Sequence, residues 1–468
     1  MLIFAFLTIY FAVYLTECKK QNPSIVIVGA GASGIAAATK LLKNNYTNIK
    51  ILEAEDRIGG RIKSVKVGDS YVDLGGEFYD GSKDDAVWEM VKDLGILKDR
   101  NVDYKIISDG QEIDDENKEK LIAYVISFQD EEECRNLRSI GECFEKTYAS
   151  LLQRSKSDKE TRLLEKSRIW LKNFLSFIGM STNINDQLLK SYSKQSSSLH
   201  WNGHGYKTVL DVMMQKYPDI TKQLPIDDKI FLNKRVIHIK GWKNDTIKIK
   251  TDDGSRYKAD HVIFTTSLGV LKAKHESIFH PPLPANKIAA IKNSGFGSLA
   301  KVFVFFEHEL DVRGTLHCVW NKQDLKLFNW LKNLVFLIVD ERNPKILNGF
   351  YGGKGVTLID TLSDEEVFKG QKYLVSKCLT PKFNVSEPIK ILRTSWSTNT
   401  NFLGVNSYVS VKGRYNEKLA ETLVATGGKP SILFAGEATH PYYYSTVHGA
   451  VESGYREAKK IIDFYNTP

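Results

Sequence analysis

The chain has no Cys-x-x-Cys pair, no internal repeat and no long block of lysine and arginine. Without paired cysteines at ligand spacing, a zinc ribbon or a dithiol redox motif is not expected, and no other metal site stands out. Without a repeat, solenoid and propeller architectures drop away. Basic residues are interleaved with acidic ones, so no phosphate-tracking surface is present and no nucleic-acid partner is expected. Lys and Arg outnumber Asp and Glu by 65 to 56, a formal charge of +9. That balance favours solubility but is mildly repulsive to any polycation, which must find local carboxylates.

Long hydrophobic runs are scarce too. Residues 1–15 are apolar apart from Thr8, Tyr10 and Tyr14, and polar sequence begins at Thr16. A bilayer span needs roughly 20 apolar residues, so this stretch reads as the apolar region of a signal peptide covering residues 1–18. It lacks a basic start, and an uncleaved N-terminal anchor is the competing reading. With a cleaved leader the protein is expected to be secreted, with no stable membrane association. Cleavage near Cys18 would leave Cys134, Cys143, Cys318 and Cys378, an even set that fits one or two disulfides in an oxidising compartment. Asn45-Tyr46-Thr47, Asn244-Asp245-Thr246 and Asn384-Val385-Ser386 are glycosylation triplets that would be used there, although such triplets also arise by chance.

What is present is an ordinary globular composition, 42% hydrophobic and 26% charged, over 468 residues, a length that favours two domains. A β-branched run at residues 24–28 leads into Gly29-Ala30-Gly31-Ala32-Ser33-Gly34 and an Ala-rich segment to Leu42, which predicts strand, tight turn and helix. Gly29 would allow the turn, Gly31 would let backbone approach a pyrophosphate, and Gly34 would let helix pack on strand. The helix start supplies free N–H groups and a positive dipole end. A second strand, residues 49–52, ends in Glu53, placed to bind the ribose hydroxyls of a dinucleotide. The alternative is a glycine-rich turn in an unrelated α/β domain.

The continuation separates flavin from nicotinamide. Glu53-Ala54-Glu55-Asp56-Arg57-Ile58-Gly59-Gly60-Arg61 resembles the extended motif of the flavin amine oxidase and phytoene desaturase superfamily. The block Phe434-Ala435-Gly436-Glu437-Ala438-Thr439-His440, followed by Ser445-Thr446-Val447-His448-Gly449-Ala450, is similar to the closing segment of polyamine and spermine oxidases. The resemblance runs along nearly the whole chain after the leader. It implies noncovalent FAD held by Gly29, Gly31, Gly34, Glu53, Arg61, Gly75, Gly76, Val236, Trp396, Gly436, Glu437, Thr446 and Val447. Arg61 suits a pyrophosphate partner because its guanidinium can hold two anionic oxygens at once. Glu437 would hold the ribityl chain, and the Val447 backbone N–H would face the flavin pyrimidine. The family often has Thr where this chain has Val447.

The flavin performs the redox chemistry, so the protein must position a neutral amine and manage protons and oxygen. Lys301 lies in an alternating strand pattern among apolar neighbours. The resemblance implies a catalytic lysine bound through water to flavin N5, assisting reoxidation; an edge-strand lysine facing solvent is the alternative. Asp73-Leu74-Gly75-Gly76-Glu77-Phe78-Tyr79-Asp80-Gly81 matches the segment beneath the flavin, with Phe78 and Asp80 where the family usually has Trp and His. Animal spermine and acetylpolyamine oxidases carry His at the Asp80 position and plant polyamine oxidases Glu. An acid suits a cationic amine tail, so Asp80 is the first candidate anchor and Glu77 the second, with capping of a helix over residues 83–94 as the alternative for Glu77. Trp396, Tyr443 and Tyr444 would line the substrate tunnel. A further acidic contact from the region of residues 196–201 could not be placed.

Monoamine oxidases attach FAD through a cysteine shortly after the tryptophan, and residues 402–408 contain none. L-amino acid oxidases carry a Met-Arg pair in the stretch matching residues 77–81; its absence argues against amino acid substrates. No long coiled-coil insertion of the histone demethylase kind is present. The expectation is an α/β fold: a Rossmann-type FAD-binding domain from residues 22–81, 200–284 and 392–465, with an inserted substrate domain of mixed sheet and helices from residues 82–199 and 285–391. The expected reaction is oxidation of a polyamine such as spermine, spermidine or an N-acetylated derivative, by hydride transfer with oxygen as acceptor, in a monomer or homodimer. The alternatives are another amine or amino acid as substrate, or a catalytically weak secreted amine-binding flavoprotein.

Overall fold

The computed structural model describes residues 22–81, 84–100, 103–189, 199–321 and 323–467. The apolar leader, Cys18 and Ser196 to Ser198 lie outside the described residues.

Ile25–Val28 is a fully buried strand of four β-branched residues. It pairs in parallel with Ile49–Leu52 on one side and His261–Phe264 on the other. Pro430–Phe434 and Ile230–Phe231 extend this sheet in parallel, and Leu423–Val424 closes it as an antiparallel edge, making six strands. Continuous apolar runs are what a sheet covered on both faces demands. One face is covered by the helices Ala32–Leu42 and Val447–Asn466, the first and last long helices described, packed on each other. Gly454 permits this approach, since a Cβ there would lie 2.2 Å from the Ser33 carbonyl oxygen, and Gly34 lets the first helix close on the turn before it, where a Cβ would lie 2.0 Å from the Gly29 carbonyl oxygen. A four-stranded sheet containing Val236–Lys240 covers the other face through a shared apolar core.

The second sheet has seven strands in the order Pro388–Arg393, Ala300–Phe306, Ile346–Tyr351, Leu334–Val339, Thr315–Val319, Tyr104–Ser108, Gln111–Glu112. All neighbours are antiparallel except Thr315–Val319 with Tyr104–Ser108. All seven residues of Ala300–Phe306 are buried, with neighbours on both sides. The edge-strand reading of Lys301 therefore fails. The helix Asp158–Ile178 lies against this sheet and brings Phe177 within 5.0 Å of Phe336 and 5.8 Å of Phe350, ring to ring.

Four cysteines form two bonds, Cys134 to Cys143 and Cys318 to Cys378. The second ties strand Thr315–Val319 to the turn that ends the helix Asp364–Leu374. No helix among the described residues is long and apolar enough to cross a membrane.

Candidate active site

A cavity of about 1000 Å³ runs between the two sheets, at the upper end of what a small-molecule site occupies. At one end its wall is backbone. The chain turns at Gly29 with φ of 107°, where a side chain would be strained, and Gly31 bridges to Gly59. Two helix starts, Ala32 and Val447, open onto this wall. The hydroxyl of Thr446 accepts the Gly449 N–H at 3.0 Å and caps the second helix, leaving the first-turn N–H groups beside it for a ligand.

Charged side chains are fixed around this wall. The Glu53 carboxylate accepts the N–H groups of Ala30 at 2.7 Å and Glu55 at 2.8 Å, while burial raises its pKa. Arg61 donates to Glu437 at 2.9 Å and to the Val405 carbonyl. Glu437 also accepts from the Ser407 hydroxyl and, at 2.7 Å, from the Ser445 N–H. Gly75 has no room for a side chain, since a Cβ would lie 1.8 Å from the Arg61 carbonyl oxygen. Gly76, Val236, Gly436, Glu437, Thr446 and Val447 all line the cavity; Gly34 does not, acting instead in helix packing. The Thr266 hydroxyl in this wall is buried without a partner. Glycine backbone, two helix starts, a buried carboxylate, a guanidinium and an orphaned hydroxyl together fit FAD.

At the other end the wall is aromatic and aliphatic: Phe78, Phe177, Met180, Leu299, Phe350, Trp396, Tyr443 and Tyr444. The Trp396 indole donates to the Leu74 carbonyl at 3.0 Å and meets Phe402 edge-on. Tyr443 stacks on His440 with centroids 5.1 Å apart and meets His448 edge-on at 4.8 Å. Phe78 stacks on Phe350 at 6.0 Å.

Lys301 is 3% exposed and lines this end. Its ammonium donates to Glu77 at 2.5 Å and to the carbonyl oxygens of Asp73 and Gly75, each at 2.8 Å. All three of its donors thus have protein acceptors, and any water beside it shares one of these bonds. Glu77 additionally accepts from the Asn348 amide at 2.9 and 3.1 Å. Its charge is balanced inside the protein. The helix that follows is Ala86–Val91, and its cap is Asp85, which accepts the N–H groups of Val87 and Trp88. Glu77 is therefore not a cap. Asp80 lines the cavity. Beneath Lys301 the Asp73 carboxyl is pushed up to about 7 by burial, against the ordinary carboxylate range.

Sequence reasoning missed Asn348, Phe350, Phe177 and Met180. A lone Asn in the wholly buried strand Ile346–Tyr351 was a usable signal, because a buried amide needs a partner. Phe177 and Met180 enter through helix packing and carry no local mark.

The fold and this site define a dinucleotide-binding flavoprotein with an aromatic reaction chamber. The chain matches the family described as flavin containing amine oxidoreductase over residues 32–462 and belongs to it. It is an FAD-dependent amine oxidase. It is similar to protein anon-37Cs of Drosophila melanogaster, 28% identical over 483 residues, covering 96% of this chain and 92% of that one. The human peroxisomal N(1)-acetyl-spermine/spermidine oxidase is 28% identical over 511 residues, covering 95% and 96%. In fold the chain resembles a redesigned cofactor-binding variant of putrescine oxidase, with a TM-score of 0.65 at 19% identity, covering 94% and 99%.

Proposed function

We propose that the substrate is a polyamine, held with a methylene chain between aromatic rings and a cationic end at Asp80. The observation that carries this is the composition of the reaction end, where Asp80, Phe78, Tyr443 and Tyr444 all line the cavity and Lys301 is paired with Glu77. Aromatic faces and a carboxylate both attract ammonium groups, and an apolar wall suits the methylene chain between them. Similarity to an acetylpolyamine oxidase supports the same reading. FAD supplies the hydride acceptor and passes the electrons to oxygen. The protein's residues exclude water, orient the carbon to be oxidised and hold the amine neutral before hydride leaves. Activity is accordingly expected to rise towards alkaline pH.

The test is peroxide formation from spermine, spermidine, their N-acetyl forms, putrescine, benzylamine and leucine. A polyamine should show the highest kcat/KM, and Asp80→Asn should raise KM for it while leaving that for benzylamine in place. A preference for leucine or benzylamine would overturn the assignment.

Secretion is part of the proposal. The apolar leader supports it, as do the two disulfides and the exposure of Asn45, Asn244 and Asn384 in the three triplets. Protein collected from the medium of a eukaryotic host should lose mass on N-glycosidase treatment; retention in the membrane fraction would favour an uncleaved anchor.

A further inference from the structure

Behind the Lys301–Glu77 pair lies a second, smaller cavity of about 70 Å³. Glu77 and Phe78 line both cavities, so this pair of residues is the partition between them. Asn348, Arg100, His200 and Trp201 form the inner wall of the small chamber, and Asp340, Glu341 and Arg342 stand at its outer end. Glu341 and Arg342 are exposed, whereas Trp201 and Asn348 are 2% and 3% exposed. The chamber therefore leads from the half-buried Glu77 carboxylate towards the surface.

Four of its wall residues each hold one buried polar atom without a partner among the described residues: Arg100 Nε, Trp201 Nε1, His200 Nε2 and Asn348 Oδ1. Such a concentration is unusual, because each orphaned buried group costs on the order of 1–3 kcal/mol. The His200 tautomer is fixed by its other nitrogen, since Nδ1 accepts the Asn202 N–H at 3.2 Å. Nε2 then carries the hydrogen in the neutral ring, and burial together with the Arg342 charge favours that neutral form. The wall thus offers three donors and one acceptor around a space large enough for a small water cluster. Asn348 joins the two sides, with its amide nitrogen on Glu77 and its oxygen orphaned.

We propose that this chamber holds ordered water and is the route by which protons pass between the Lys301–Glu77 pair and solvent during turnover. Chemistry requires such traffic. Over a full cycle, a secondary ammonium substrate, dioxygen and water become an aldehyde, a shortened ammonium and hydrogen peroxide, so protons balance. They do not balance within each half. The substrate nitrogen sheds one proton before hydride leaves its carbon, and one proton must be returned when dioxygen takes up the two electrons. Substrate fills the front cavity during the first of these steps, and the rear chamber offers a way round it. Glu77, shared by both cavities and bonded to Lys301 at 2.5 Å, is the group that passes the proton across the partition.

Two measurements test this. A high-resolution crystal structure should show water within hydrogen-bond distance of Trp201 Nε1, Arg100 Nε, His200 Nε2 and Asn348 Oδ1; a dry chamber would overturn the proposal. Ile338→Phe, which adds bulk from the chamber wall, and His200→Leu, which removes one water donor, should each slow anaerobic substrate deprotonation and flavin reoxidation by roughly tenfold and enlarge the solvent deuterium isotope effect. The flavin absorption spectrum and the spermine dissociation constant should stay unchanged in both. If water is present but neither variant that folds and binds FAD alters the isotope effect, the chamber is structural and the route is elsewhere.

Discussion

Replacing Lys301 by Met removes a cation and leaves its surroundings nearly the same size. At 2.5 Å from Glu77, the gross attraction is about 7 kcal/mol at an effective dielectric of about 20, much of it offset by desolvation. Breaking a buried pair from one side costs about 3–5 kcal/mol. Glu77 keeps 20% side-chain exposure, which places Lys301→Met at the low end, about 3 kcal/mol. Two carbonyl oxygens, those of Asp73 and Gly75, lose their donor as well. Lys301→Met with Glu77→Gln removes both charges, so the double variant should be more stable than the two single losses predict, by about 2 kcal/mol. Urea unfolding of the four proteins with saturating FAD measures this, and stopped-flow mixing of the reduced enzyme with oxygen measures reoxidation, expected to slow about 100-fold in Lys301→Met. Additive stability losses would refute the pairing, and an unchanged reoxidation rate would remove Lys301 from the chemistry.

Glu437→Gln loses the charge that faces Arg61 and turns one of two accepting oxygens into a donor, and should weaken FAD retention by roughly tenfold in fluorescence titration; an unchanged affinity would leave Glu437 a packing residue. The Cys318–Cys378 bond spans 60 residues, so changing both to Ser should cost about 4 kcal/mol, read by urea unfolding, against about 3 kcal/mol for Cys134–Cys143 with its separation of 9; a smaller loss at the longer loop would contradict this ordering. Burial holds His261, His317 and His440 neutral in the folded protein down to about 4, below the ordinary value of 6.5. The unfolded chain then takes up protons first, so the stability these residues contribute is complete above about pH 6.5 and drains as pH falls towards 4. Asp73, raised to about 7, acts in the opposite sense over the same interval, as do Glu53, Asp211 and Asp360, which burial also raises, while His200 and His448 are lowered by burial and add to the histidine side. The urea midpoint should fall on acidification, and less steeply in His317→Phe; a rising midpoint would be inconsistent with buried neutral histidines.

Much of the cofactor side was legible because its signals are local. The strand at residues 25–28, the turn at Gly29, the helix to Leu42 and the strand ending before Glu53 follow from apolar patterning and glycine placement within thirty residues, and their bounds lie within a residue or two of the expectation. The reaction end was less legible because its bonds are remote. Lys301 and Glu77 are 224 residues apart, and Glu77 and Asn348 are 271 apart. No local pattern announces that a cation and an anion will share one partition, so Glu77 was read as an anchor for substrate or a helix cap. The cap is Asp85. Disulfide pairing was likewise open, since four cysteines allow three connectivities.

The central claim is that this cavity holds FAD and that a polyamine reduces it. Purified protein, freed of oxygen and mixed with spermine, spermidine or an N-acetylated derivative, tests both parts at once. A yellow cofactor that is released intact by denaturation and bleached by at least one of these amines is the predicted result. A bound flavin that no amine bleaches, or one that leucine bleaches and the polyamines do not, would contradict it.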